Sequence, residues 1–192
     1  MTKDQNYPFT IEEVTSPQSQ YLPGMNAWLG RIFPEYCPAR FDKLLSKLRH
    51  PDGKDQIQIF IGLAGNQVAG LMQLFYREWQ GGLLGDIDLL GVLEPFRRSG
   101  LALGFVQRSF KAIQDIARLY QIPPLGLTTL CDPQYPPIMQ LHQKLGGQIR
   151  RDYQYASGDI VVWYPMQEKI ENIATSTLGD QLRRFGQLLE SR

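Results

Sequence analysis

The chain is poor in what several protein classes require. Only two cysteines, Cys37 and Cys131, occur in 192 residues. They lie far apart and form no CxxC pair, so a disulfide framework is excluded and a reducing, cytoplasmic setting is expected. His50 and His142 are the only imidazoles; a structural zinc site lacks ligands, and no metal is expected. Neither sign of charge dominates: 20 basic and 19 acidic side chains leave a net charge of +1. That balance offers no footprint for a nucleic acid and none for a membrane surface. No stretch approaches the roughly 18 continuous apolar residues of a membrane-spanning helix. The opening Met1-Thr-Lys-Asp-Gln-Asn6 runs into Tyr7-Pro8-Phe9 without the apolar core of a secretory leader.

What is present suits one packed core. Hydrophobic residues make up 43% of the chain and aromatics 11%, enough apolar material for a single domain at this length. Phe9–Val14 reads as a short strand, and Pro17, Pro23 and Gly24 break the chain after it. Met25–Phe33 reads as a short helix stopped by Pro34. Phe41, Leu44, Leu45 and Leu48 recur at helical spacing, predicting a second helix that ends near His50-Pro51. Gln56–Leu63 alternates, with Ile57, Ile59, Ile61 and Leu63 on one face. With Val68–Trp79 it predicts an antiparallel hairpin turning at Gly65-Asn66. Gly81-Gly82 ends that strand, and Asp86–Val92 begins another.

Leu101–Tyr120 is the clearest helix. Ala102, Phe105, Val106, Phe110, Ile113, Ile116 and Ala117 lie on its apolar face, and Gln107, Arg108, Lys111, Gln114 and Arg118 on its polar face. Leu125–Cys131 reads as a strand parallel to the one before the helix. Ile138–Leu145 predicts a short helix closed by Gly146-Gly147. Tyr153–Tyr155 and Ile160–Tyr164 predict a last hairpin about Ser157-Gly158. Leu178, Leu182, Phe185 and Leu189 form a stripe in a C-terminal amphipathic helix. The order β-α-α-β-β-β-α-β-α-β-β, plus this tail, predicts a mixed sheet with helices on both faces, an α/β class of fold. Residues 1–166 are expected to form one domain and 167–192 a helical extension, whose stripe either packs on the domain or builds a homodimer.

The segment with chemical content is Leu89-Leu-Gly-Val-Leu-Glu-Pro-Phe-Arg-Arg-Ser-Gly-Leu-Ala102, a strand running through a tight turn into a helix. The first helical amides lack intrahelical acceptors and point out of the N-terminus, where the dipole also favours an anion. Gly100 lets a phosphate approach the backbone, Ala102 keeps the next turn slim, and Arg97 and Arg98 offer charged donors at the rim. An ordinary strand–turn–helix corner, with a glycine that relieves strain, fits the local pattern equally well. Other phosphate loops do not fit: Gly100 is followed by Leu101-Ala102 rather than Lys-[Ser/Thr], and no G-x-G-x-x-G stands in a βαβ unit.

Val92-Leu-Glu-Pro-Phe-Arg97-Arg98-Ser99-Gly100-Leu101-Ala102 resembles the acyl-CoA-binding motif of the GNAT N-acyltransferases, [Gln/Arg]-x-x-Gly-x-[Gly/Ala], with Arg97, Gly100 and Ala102 in its fixed positions. The order of elements is similar over roughly residues 8 to 166, and Leu141-His-Gln-Lys-Leu-Gly146 resembles that family's Leu-Tyr-Glu-Lys-Leu-Gly-Phe segment. The resemblance implies a sheet of about seven strands flanked by helices, and acetyl-CoA or CoA as cosubstrate. It implies backbone contacts from Leu90, Gly91 and Val92 to the pantetheine arm, with the Val92 amide near the thioester oxygen. It also implies pyrophosphate binding by the amides of Arg98, Ser99, Gly100, Leu101 and Ala102.

The reaction it implies is attack of a neutral amine, from a small molecule or a protein, on the thioester. A lysine-like amine is neutral in only about one molecule in a few thousand at pH 7, so a base is useful. Asp86 and Asp88 alternate onto one face of their strand, and Asp86 matches the position of a glutamate base in some members. Solvation of the strand start is the other reading of both. The family's tyrosine acid is replaced by His142 and the phenylalanine by Gly147. His142 is a candidate donor to the leaving thiolate, with Tyr135 and Tyr153 as competitors and a capping or exposed histidine as the bland reading. These departures keep open an alternative, an acyl-CoA-binding sensor or interaction module without catalysis. The acceptor is not legible; Tyr21, Trp28, Phe33, Tyr36 and Tyr155 line a pocket or belong to the core.

Overall fold

A computed structural model describes residues 8–15, 20, 21, 56–79, 81–134, 136–154 and 158–166, with backbone alone at 56 and 151–154. Seven strands form one mixed sheet: β1 (Phe9–Glu13), β2 (Gln56–Ala64), β3 (Gln67–Trp79), β4 (Gly82–Val92), β5 (Pro124–Cys131), β6 (Gln148–Gln154) and β7 (Ile160–Pro165). Their order across the sheet is β1-β2-β3-β4-β5-β7-β6. Two helices are described, α1 (Leu101–Tyr120) and α2 (Pro136–Lys144). The helices expected at Met25–Phe33 and Phe41–Leu48 and the Leu178–Leu189 stripe lie outside the described residues. Among the described residues no helix is long and apolar enough to cross a membrane.

The chain divides into two compact units. One comprises Met1–Arg77 and Ile87–Ala112, the other Glu78–Asp86 and Ile113–Arg192. In the first, β1 pairs antiparallel with β2, from Phe9 opposite Ala64 to Glu13 opposite Phe60. β2 pairs antiparallel with β3 around Gly65, whose φ of +60° suits glycine. The alternation in β2 predicts one buried face, but Ile59, Phe60, Ile61 and Leu63 are all at most 3% exposed. The second face is buried because α1 side chains reach it. Arg108 lies 5.1 Å over the Phe60 ring, and its Nη2 is 3.9 Å from Glu13 Oε2. At Gly62 the place of a side chain is taken by Leu101.

In the second unit, β5 and β6 both pair antiparallel with β7. β4 starts at Gly82, four residues before the Asp86 expected from the sequence. Gly82 and Gly85 continue the strand rather than break it, because a Cβ on Gly82 would lie 2.5 Å from Leu125 and one on Gly85 2.5 Å from Leu127. α1 has the expected bounds. Its buried stripe also takes in Ser109, whose hydroxyl donates to the Val106 carbonyl at 2.7 Å and so needs no other partner.

α2 begins at Pro136, earlier than the expected Ile138, since prolines suit a first helical turn that has no acceptors for its N–H groups. It ends on Gly146 at φ +81°, with Gly146 N–H donating to Gln143 O at 3.0 Å and Gly147 N–H to His142 O at 2.8 Å. That paired return is the Schellman closure. β6 begins at Gln148 rather than at the expected Tyr153.

Candidate functional site

The turn between β4 and α1 is built largely from backbone. Leu93 N–H donates to Ala69 O at 2.9 Å, closing the strand pairing. Glu94–Phe96 then makes one 3₁₀ turn, anchored by the buried Phe96 edge-on to Phe9 at 6.3 Å. Arg97 Nε donates to Val92 O at 3.3 Å, and Ser99 Oγ donates to Phe96 O at 2.5 Å. Gly104 N–H reaches Gly100 O at 3.0 Å, which makes Gly100 the N-cap of α1. The amides that follow Gly100 are therefore those without carbonyl partners inside the helix; Leu101 N–H has only a long 3.5 Å approach to Ser99 Oγ.

Two left-handed residues shape this turn, Arg98 at φ +65° and Gly100 at φ +89°. Alternation of hand along a turn aims successive N–H groups into one concavity, a nest suited to an anion. No acidic residue stands in the first turn of α1. A Cβ on Gly100 would meet nothing within 4 Å. The glycine is thus required by its dihedral, and the space above it is open.

Packing fixes the helix end that carries these amides. Leu101 is 3% exposed, and its side chain fills the space above Gly62, where a Cβ would lie 2.6 Å from it. On β3, a Cβ at Gly70 would come within 2.8 Å of Phe105 and 2.9 Å of the Gly91 carbonyl. Two glycines on neighbouring strands thereby let α1 sit close to the sheet. Of the residues expected against the pantetheine arm, Gly91 is buried and Leu90 and Val92 are half-buried.

The two aspartates of β4 have different surroundings. Asp86 is 7% exposed, and Thr128 Oγ1 on β5 donates to its Oδ1 at 2.6 Å. Asp88 is exposed, and Gln73 Nε2 on β3 donates to its Oδ2 at 3.2 Å. Neither aspartate stands at the strand start, since β4 begins at Gly82.

His142 and Tyr164 form a sealed pair, each 1% exposed. His142 Nδ1 and the Tyr164 hydroxyl share a short hydrogen bond, the phenol donating when Nδ1 carries no proton. Burial pushes the imidazole down from 6.5 to about 4, and burial together with Cys131 pushes the phenol above its usual range. The ring is therefore neutral at pH 7. The imidazolium donor that the sequence suggests at His142 is not available there, because desolvation disfavours its charge. Gly147 has no room for the phenylalanine of the similar families' segment. A Cβ there would lie 2.6 Å from Val162, 2.8 Å from His142 O and 2.9 Å from the Tyr164 ring.

Cys131 is 3% exposed, and burial, then Asp159, pushes its thiol up to about 12; it is a small apolar core residue rather than a nucleophile. Among the described residues no group of three or more His, Cys, Asp or Glu could hold a metal. Tyr135, Trp28, Phe33, Tyr36 and Tyr155, and the side chain of Tyr153, lie outside what is described. Thr128, Gln73 and Tyr164 were not legible as site residues. Each is joined to its partner through strand adjacency or a helix-to-strand contact, and no local motif marks it.

No sequence-family profile matches the chain, and no curated protein matches it. Solved structures do. A candidate acetyltransferase of the GNAT family from Desulfovibrio desulfuricans superposes with a TM-score of 0.63 at 14% identity, over 83% of this chain and 99% of that one. An acetyltransferase from Bacillus subtilis in complex with CoA gives 0.58 at 14%, over 83% and 100%. Naa50 from Arabidopsis thaliana, in complex with the bisubstrate analogue CoA-Ac-MVNAL, gives 0.57 at 13%, over 81% and 96%. The strand order and the helix that follows β4 are thus those of the GNAT acyl-CoA N-acyltransferase fold.

Proposed function

We propose that the protein is an N-acyltransferase that moves an acetyl, or related acyl, group from its CoA thioester to an amine of a small molecule or a protein. The observation that carries this reading is the open nest at the head of α1: left-handed Arg98 and Gly100, first-turn amides without carbonyl partners inside the helix, no acidic residue in that turn, and two arginines at its rim. These groups suit a pyrophosphate, with Arg97, Arg98, Ser99, Gly100, Leu101 and Ala102 as its binding residues. Leu90, Gly91 and Val92 would follow the pantetheine arm, and the Val92 amide would face the oxygen that gains charge.

In the reaction, Asp86 accepts a proton from the ammonium form of the acceptor, with Asp88 as the second candidate. The amine nitrogen then bonds to the thioester carbon, the C–S bond breaks, and the proton shed by the acylated nitrogen balances the one taken up by the departing CoA thiolate. His142 enters as the neutral partner of Tyr164 rather than as a charged acid. A second reading, an acyl-CoA binder without catalysis, is favoured by that one observation, a sealed and neutral residue where similar proteins carry a tyrosine acid.

Calorimetry with acetyl-CoA, and thiol release over an amine panel, test both readings. Gly100→Glu puts a negative side chain into the open space above the nest and is expected to weaken acetyl-CoA binding by more than about 100-fold, which is about 2.7 kcal/mol. Gly100→Ala carries the same dihedral strain and serves as the control. Unchanged affinity in a folded Gly100→Glu protein removes the cofactor reading. Binding without thiol release from any amine selects the second one.

A further inference from the structure

The hydroxyl of Thr128 stands between two acceptors. It lies 2.6 Å from Asp86 Oδ1 and 3.3 Å from the main-chain oxygen of Gly85. Thr128 is 3% exposed and Asp86 7%, so water competes little for these contacts. The arrangement is held by the packing on the other side of the same strands, where Leu127 and Ile113 occupy the space over Gly85. A Cβ at Gly85 would lie 2.5 Å from the Leu127 side chain and 2.7 Å from that of Ile113, so these would have to shift.

A threonine hydroxyl carries one proton and can also accept. With two acceptors in reach, it has two complete hydrogen-bond states. When Asp86 is ionised, the hydroxyl donates to Oδ1, the shorter and charge-assisted contact. When Asp86 is protonated, its carboxyl can donate to Thr128 Oγ1, and the hydroxyl turns to donate to Gly85 O. A general base passes through both states in every turnover, and burial makes an unsatisfied polar group costly in either. Few side chains serve both: a lysine or arginine in place of Thr128 could only donate, and would favour the ionised form alone.

We infer that Thr128 is a positioning residue for Asp86, its hydroxyl donating to the carboxylate before proton transfer and to the Gly85 carbonyl after it. The inference rests on the reading of Asp86 as the base proposed above. In the step it supports, an N–H bond of the acceptor ammonium breaks, an O–H bond forms on Asp86, and the rotation of one hydroxyl keeps Thr128 Oγ1 and Asp86 Oδ1 paired. No further co-reactant is needed.

Three variants test it, with an amine that releases thiol from acetyl-CoA. Thr128→Val keeps the shape and removes the hydroxyl; kcat should fall about 10-fold or more while acetyl-CoA affinity stays at the wild-type value. Thr128→Ser restores the hydroxyl and should recover kcat to within about 3-fold. A valine variant with wild-type kcat, or a serine variant as slow as valine, overturns the inference. Should valine disturb the sheet, Thr128→Cys, a weaker donor, is expected to give an intermediate kcat, and wild-type kcat there overturns it equally.

Asp86→Asn separates this inference from the reading beneath it: full kcat in that variant removes Asp86 as the base and Thr128's role with it, whereas a dead Asp86→Asn beside a normal Thr128→Val removes only the latter. A readout without turnover is the infrared carboxylate band of Asp86, isolated as the difference between wild type and Asp86→Asn. It should shift in Thr128→Val and return in Thr128→Ser; an unshifted band overturns the inference.

Discussion

The turn at Arg97–Ala102 and the pair His142–Tyr164 are built on opposite plans. The turn is largely exposed, made of main-chain groups, and left incomplete: its first-turn amides have no carbonyl partners inside the helix and the space above Gly100 is open. The pair is buried and made of side chains, each member answering a hydrogen-bonding group of the other. An incomplete polar surface has free energy to give to a ligand, whereas a complete one gives it to the fold. Binding is thus to be sought in the turn and stability in the pair, and each region can be made to contradict this.

The largest effect is expected at Tyr164. Truncation by Tyr164→Ala removes a fully buried ring and leaves His142 without its partner, so a loss of about 3–5 kcal/mol is expected in chemical denaturation. A loss below about 1 kcal/mol would show that the pair does not act for the fold.

The next effect sharpens the contrast through pH. His142 has its pKa lowered to about 4 in the fold, against 6.5 ordinarily. As pH falls through 6.5 the unfolded chain takes up a proton that the folded one refuses until about 4. This contribution to stability is therefore fully present above 6.5 and is lost towards 4, by at most about 3 kcal/mol. Denaturation midpoints measured across that range should show the slope in wild type and lack it in His142→Phe. A slope that survives the substitution assigns the effect elsewhere.

The smallest effect belongs to the turn. Arg98 holds φ +65°, a conformation uncommon for a residue with a side chain. Arg98→Gly removes that strain and a rim charge together. The melting temperature should stay level or rise by the equivalent of up to about 1 kcal/mol, while acetyl-CoA affinity falls up to about 10-fold. Stability lost with affinity unchanged would reverse the assignment of roles.

How much of this the sequence disclosed follows the same division. The nest was legible because one short run, Arg97 to Ala102, holds all of its parts and because glycine reports a dihedral that few other residues adopt. α1 was legible to the residue, since its apolar face repeats over 20 positions. The start of β4 is not legible, because Gly82 and Gly85 look like punctuation. They are glycines for a distant reason, the approach of Leu125 and Leu127 from β5. The Asp86–Thr128 and His142–Tyr164 contacts span 42 and 22 residues of chain. Strand order brings the first together and helix-to-sheet packing the second, and neither leaves a periodic trace. His142 could be singled out from the sequence, but not its neutrality, which depends on the surroundings that bury it.

Gly147 carries a consequence for descent. The place its side chain would take is filled by the Tyr164 ring, Val162 and the His142 carbonyl. A ring at 147 would meet a β7 valine, a main-chain oxygen and the Tyr164 ring at once, and removing Tyr164 clears only the last of these. A lineage can exchange this glycine for a larger residue only if β7 and the end of α2 shift apart with it. The glycine at 147 should therefore be inherited together with Val162, Tyr164 and the closing turn of α2.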